Sequence, residues 1–197
     1  MYFKYFFNSL NRSNESCKDL ATKIMFSILT CFILSGCLGM PSKVSPVENF
    51  ELDRYLGKWY EVARLNHSFE EGLRNVTAEY SIRKDGGVGV VNRGFSTVEK
   101  KWREATGKAF FVKSTEEGYL KVSFFGPFYG SYVIFELDKK NYQHAFVSGP
   151  NLSYLWLLSR TPNVSAELKI NFIKQAKSLG FETDNLIMVS HNQPDSS

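Results

Sequence analysis

The chain runs to 197 residues with 43% hydrophobic and 15% aromatic content, enough to bury the core of a single domain. Its formal net charge is only +4, and the basic residues are scattered rather than clustered, too slight a balance to imply a nucleic-acid partner, and none is expected. Cys17, Cys31 and Cys37 all lie near the N-terminus, so nothing beyond residue 37 can form a disulfide or a thiolate metal site.

Lys18 and Lys23 precede an apolar run from Ile24 to Leu34. A bilayer span takes about 20 residues, so this run is too short to cross and suits the core of a signal peptide. It ends in Leu34-Ser35-Gly36-Cys37, which resembles a lipobox. Small residues at 35 and 36 let a signal peptidase reach the backbone, and Cys37 receives the lipid. Residues 1–36 are therefore expected to be a signal peptide, with Cys37 the lipidation site. Leu38 follows the cysteine rather than aspartate, which in the bacterial sorting pattern points to the outer membrane. The aromatic stretch Met1 to Phe7 makes a long leader, and the initiation site stays open. A start at Met25 would remove both lysines. Residues 37–49, with Gly39, Pro41 and Pro46, read as a lipidated tether reaching about 40 Å at full extension.

From here to Ser159 short segments of strand-like residues recur between turn signals, which suggests a sandwich or barrel rather than βαβ units. After Gly57, Trp59 begins a strand over 58–66 on which Glu61 and Ala63 share its face. Val76, Ala78, Tyr80 and Ile82 alternate with Thr77, Glu79, Ser81 and Arg83, a period of two with one dry face. Asp85-Gly86-Gly87 turns the chain into a strand where Val88, Val90 and Asn92 share a side. Leu120, Val122 and Phe124 alternate with Lys121 and Ser123, and Tyr154, Trp156 and Leu158 alternate with Leu155, Leu157 and Ser159. Further strands are expected over 102–112, 130–137 and 142–149. The total is eight, the number whose closed barrel has room for one small ligand. Then the period changes. Pro162 stops the sheet, Ser165 caps a helix and Gly180 ends it. Leu168, Phe172, Ile173, Ala176 and Leu179 form one side of that helix, opposite Lys169, Lys174 and Lys177, so its apolar stripe should pack on the barrel wall. Leu186 to Val189 reads as a short last strand, and 190–197 as a C-terminal tail.

Two runs near the ends of this region belong together. Tyr55-Leu56-Gly57-Lys58-Trp59-Tyr60-Glu61-Val62-Ala63 sets a tryptophan just after a glycine turn, and Leu157-Leu158-Ser159-Arg160-Thr161-Pro162 closes the last barrel strand with an arginine. A guanidinium lying flat on an indole is worth roughly 0.5 to 2 kcal/mol. A barrel closed by such a plug resembles the lipocalins. Val76-Thr77-Ala78-Glu79-Tyr80-Ser81, Asp85-Gly86-Gly87, Val91-Asn92-Arg93-Gly94 and Lys121 to Gly130 add to the likeness, which covers about Phe50 to Val189. The stretch from Lys121 is similar to the bacterial outer-membrane lipoprotein branch rather than the secreted animal carriers, which usually hold disulfides.

The resemblance implies an all-β domain over 50–189: an eight-stranded up-and-down antiparallel barrel with the C-terminal α-helix packed on its outside. It also implies a structural plug of Gly57, Trp59 and Arg160. Strand alternation, checked against the family pattern, gives an inward set of Ala78, Tyr80, Val90, Ala109, Phe111, Leu120, Val122, Phe124, Tyr154 and Trp156, with Thr77 an outward position. Glu61 and Asn92 are buried polar candidates that could fix a ligand head group or pair with a neighbouring strand.

No catalytic constellation stands out. Gly-x-Ser-x-Gly and His-Glu-x-x-His are missing, Gly87-Val88-Gly89 lacks the third glycine of a dinucleotide loop, and His67, His144 and His191 stand singly. No cofactor and no metal are expected. The resulting expectation is a membrane-anchored, non-enzymatic lipocalin whose partner is a fatty acid or lysophospholipid, held to the membrane through Cys37, with a homodimer left open. Two alternatives stay beside it: an enzyme on the same barrel, for which Glu61 is the evident acid/base candidate, and an interaction protein using the aromatic loop Phe125 to Gly130.

Overall fold

Period-two segments punctuated by turns form a closed antiparallel barrel. A computed structural model describes residues 38–191; the expected signal peptide, Cys37 and residues 192–197 lie outside the described residues. The strands are β1 (Gly57–Leu65), β2 (Leu73–Ile82), β3 (Val88–Ser96), β4 (Lys101–Phe111), β5 (Tyr119–Ser123), β6 (Gly130–Leu137), β7 (His144–Ser148) and β8 (Leu155–Ser159). Each pairs antiparallel with the next, and β1 pairs with both β2 and β8, which removes the free edges. A short ninth strand, β9 (Leu186–Met188), pairs with the far half of β1. This up-and-down barrel with one helix outside is the expected architecture.

Up-and-down topology sends the loops after β1, β3, β5 and β7 to one end and those after β2, β4 and β6 to the other. The second end is closed. A one-turn helix, α1 (Leu52–Tyr55), lies there, and Gly57 follows it with φ +86°, a left-handed turn that favours glycine.

Helix α2 (Ala166–Leu179) starts where the Ser165 side chain accepts a hydrogen bond from the Leu168 N–H at 3.1 Å, and ends at Gly180 with φ +98°. Phe172 and Ala176 are fully buried on the wall, with the Phe172 ring 4.9 Å from that of Phe146. Burying a phenylalanine is worth about 1.5–3 kcal/mol, so this stripe fixes the helix more firmly than its intrinsic propensity does. The described residues thus form two apolar clusters, one inside the barrel around Trp59 and Tyr80, the other between wall and helix.

Three features differ from the sequence reading. Residues 38–49 are not laid out as a free tether. The Val47 N–H donates to the Ile134 carbonyl at 2.8 Å, Gly118 donates back to Val47, Glu48 bridges Glu117, and Val44 is buried against the helix cluster. Satisfying those backbone groups and burying Val44 outweigh the entropy of a loose linker. Second, β1 has a bulge between Glu61 and Ala63 that breaks the alternation. Ala63 joins the helix cluster, and Arg64 becomes buried beside Glu61 instead. Third, Ile82 does not share the dry environment of Tyr80; it lies at the end of β2 and is 61% exposed.

Candidate functional site

Inward-facing side chains of the barrel surround a cavity of about 100 Å³. Of the residues expected inside, Ala78, Tyr80, Val90, Asn92, Ala109, Leu120, Val122, Phe124 and Trp156 line it. Phe111 and Tyr154 are not on its wall. Phe111 packs against the inner cluster, 6.1 Å from the ring of Phe50, which does line the cavity. Tyr154 belongs to an aromatic stack at the open end, 6.1 Å from Trp156 and 6.3 Å from Phe69. Thr77, expected to face outward, is on the lining between Val76 and Ala78, just past a break in the β2 pairing between Arg74 and Thr77.

The floor is aromatic. Trp59 is fully buried, its Nε1–H donates to the Tyr55 carbonyl at 2.7 Å, and the Arg160 guanidinium lies 3.9 Å above its ring. Arg160 also donates to the carbonyls of Lys58 at 2.8 Å, Arg54 at 2.7 Å and Tyr142 at 3.3 Å, so one side chain ties together three elements of the closed end. Above the plug, the Tyr132 hydroxyl is 2.7 Å from that of Tyr55 and 2.8 Å from that of Tyr80. Burial raises the pKa of all three tyrosines, so they stay neutral.

Polar groups gather nearer the mouth. Arg64 is 1% exposed and donates to Glu61 at 2.6 Å and to the Glu70 carbonyl at 2.8 Å. The Trp156 indole donates to the Glu70 carboxylate at 3.2 Å. Arg64 Nε also lies 4.0 Å from the Glu70 carboxylate, so two buried carboxyl groups flank one guanidinium. Burial first, then the charge of Glu70, pushes the Glu61 pKa well up against the pull of Arg64; burial likewise raises Glu70. His67 Nε2 is 3.2 Å from Glu70, yet burial and the Arg64 charge lower its pKa to about 4. Asn92 Oδ1 is buried without a hydrogen-bond partner among the described residues.

Sequence reasoning missed Tyr132 and the 66–72 loop. Tyr132 was findable by alternation from Ile134 within β6. The loop was not, since Phe69 and Glu70 reach the cavity through irregular backbone with no period to follow. Among the described residues no group of His, Cys, Asp and Glu is placed to hold a metal ion, and no helix is long and apolar enough to cross a membrane.

Comparison with known proteins gives a consistent result. Residues 50–191 match the model of the lipocalin-like domain. The chain is 62% identical over 167 residues to the outer membrane lipoprotein Blc of Vibrio cholerae, covering 85% of this chain and 98% of that one. With the outer membrane lipoprotein Blc of Escherichia coli K12 it shares 48% over 149 residues, 76% of this chain and 84% of the relative. Among solved structures, insecticyanin from the tobacco hornworm Manduca sexta superposes with a TM-score of 0.63 at 20% identity, over 79% of this chain and 88% of the insect protein.

Proposed function

The chain belongs to the lipocalin family, and on that footing we propose that it is an outer-membrane lipoprotein that holds a fatty acid or lysophospholipid in its calyx. The observation that carries this reading is the cavity itself: an apolar space inside a closed barrel, kept open by Ala78 and Ala109 where larger side chains would fill it. Each methylene moved from water into such a lining gains about 0.8 kcal/mol, so an acyl chain supplies most of the affinity. The unpartnered Asn92 carbonyl oxygen is an acceptor for an O–H or N–H of the ligand's polar part.

The relatives are named outer membrane lipoproteins, and Leu34-Ser35-Gly36-Cys37 supplies the matching lipid attachment site. Cys37→Ala is expected to leave unprocessed or soluble protein, because the attached acyl chains hold the domain to the membrane. Processing and membrane association equal to wild type would remove this part of the proposal.

The buried Glu61–Arg64–Glu70 group serves a binding protein as a fixed, internally compensated element of the wall rather than as reaction machinery. Both carboxyl groups are occupied by it. Mass spectrometry of lipids co-purifying with the folded domain tests the ligand class directly. Stoichiometric fatty acid or lysophospholipid supports the reading, and a domain that purifies with neither and takes up neither on incubation refutes it.

A further inference from the structure

Four loops ring the open end: 66–72, 97–100, 124–129 and 149–154. Each carries a large apolar side chain in water. Phe69 is 55% exposed, Val98 83%, Phe125 79%, Phe128 66% and Leu152 41%. The loops of the closed end, 83–87, 112–118 and 138–143, are instead rich in charge, with Arg83, Lys84, Asp85, Lys113, Glu116 and Lys139, and hold no exposed large apolar residue. Loops 124–129 and 149–154 contain no charged residue at all. The closed end shows a lone exposed apolar side chain beside these loops, Ile82 at the end of β2, whereas a ring of several at the other end marks an interaction surface.

Where the chain leaves the domain selects the occupant. Leu38, the first described residue, is 40% exposed, and a Cβ placed on Gly39 would lie 3.6 Å from the carbonyl oxygen of Pro150 in a mouth loop. From there the segment runs along the wall, fixed by Val47 to Ile134 and Gly118, to the α1 end. The exit is therefore on the mouth side, one peptide bond from Cys37. A bilayer-inserted lipid on that cysteine pulls the mouth toward the membrane, a step that rests on the lipidation proposed above. Rim and cavity are also continuous, since Phe69 and Phe124 line the cavity and belong to mouth loops.

We propose that the open end lies face-down on the lipid surface of the anchoring membrane, with Phe125 and Phe128 at the headgroup–acyl boundary. Aromatic side chains without neighbouring charges suit that boundary. An acyl ligand then passes between bilayer and calyx without crossing bulk water.

Residues 38–197 contain no cysteine, and lipidation consumes the thiol of Cys37, so an introduced cysteine is the one thiol available for labelling. Phe125→Cys, Phe128→Cys and Lys84→Cys are prepared in the lipidated protein and labelled with the polarity-sensitive fluorophore NBD. Each is reconstituted into phosphatidylethanolamine–phosphatidylglycerol vesicles with and without nitroxide on the acyl chains, and flotation is measured on the same samples. The expected result is a blue shift and loss of most emission to nitroxide at 125 and 128, with neither at 84. Aqueous emission at 125 and 128 in protein that floats overturns the docking and leaves the anchor standing. Protein that does not float overturns the anchor and the docking with it. Equal quenching at 84 overturns the face-down orientation. A blue shift at 125 that nitroxide lipid does not quench also overturns it, by showing a second copy over the mouth.

Discussion

Trp59 and Arg160 give the most quantitative test of the closed end. Trp59 is fully buried, bonds through Nε1 to Tyr55 and supports the Arg160 guanidinium 3.9 Å above its ring. Trp59→Ala deletes a large core side chain, for which the cost is about 3–5 kcal/mol. In a domain of this size each kcal/mol moves Tm by roughly 2–4 °C, so melting should fall by about 6–20 °C. Arg160→Ala removes three donations to carbonyls at the partly exposed floor, where water replaces much of what is lost, together with a cation–π contact of roughly 0.5–2 kcal/mol. Its cost should be smaller, about 2–3 kcal/mol. The double variant should lose less than the two singles together, by about 1–2 kcal/mol, because the contact can be lost only once. Denaturant unfolding followed by circular dichroism avoids the fluorescence change that removing an indole brings. Additivity to within about 0.5 kcal/mol would refute the reasoning, since it would show that guanidinium and indole do not interact.

Arg64→Leu should cost about 3–5 kcal/mol at neutral pH, because it leaves two buried carboxyl groups without their cation. Glu61 and Glu70 already have raised pKa values, so their favourable contribution is present below the unfolded value and is lost as pH rises; removing Arg64 should steepen that loss in Tm measured from acid to neutral pH. A pH slope equal to wild type would contradict it. His67 has the opposite sign. Its pKa is lowered to about 4, so its contribution is present above about 6.5 and lost as pH falls toward 4, and His67→Phe should lose less stability across that interval than wild type in the same thermal scans.

Much of the barrel is legible in the sequence because its physics is local. Val76, Ala78 and Tyr80 alternate because one side of a strand faces a dry interior, and the Ser165 cap and Gly180 bracket α2 within a few residues of sequence. What escaped detection is non-local or breaks the period. The bulge after Glu61 moves Arg64 inward, and nothing in Glu61-Val62-Ala63-Arg64 announces an extra residue; only pairing with Leu157 and Leu158 reveals it. The pairing break before Thr77 on β2 is equally silent in the sequence. Residues 38–49 have the composition of a linker, yet Val44 and Val47 find a groove that exists only once β5, β6 and α2 are assembled. Glu61 was visible as a buried acid; its partners Arg64 and Glu70, reached through the bulge and an irregular loop, were not.

The central claim is that an acyl chain occupies the calyx, and Ala109 reaches it most directly. Ala109 is 4% exposed, lines the cavity and pairs with Val88 and Val122 on neighbouring strands. An indole there would occupy space the ligand needs. Glu79, exposed on β2 between Ala78 and Tyr80, is the control. Titrating a fluorescent fatty acid into Ala109→Trp and Glu79→Trp should show affinity at least about tenfold weaker for the first, a loss of roughly 1.4 kcal/mol, with the domain still folded by circular dichroism, and affinity unchanged for the second. Equal loss in both folded variants, or none in either, would place the acyl chain somewhere other than the calyx.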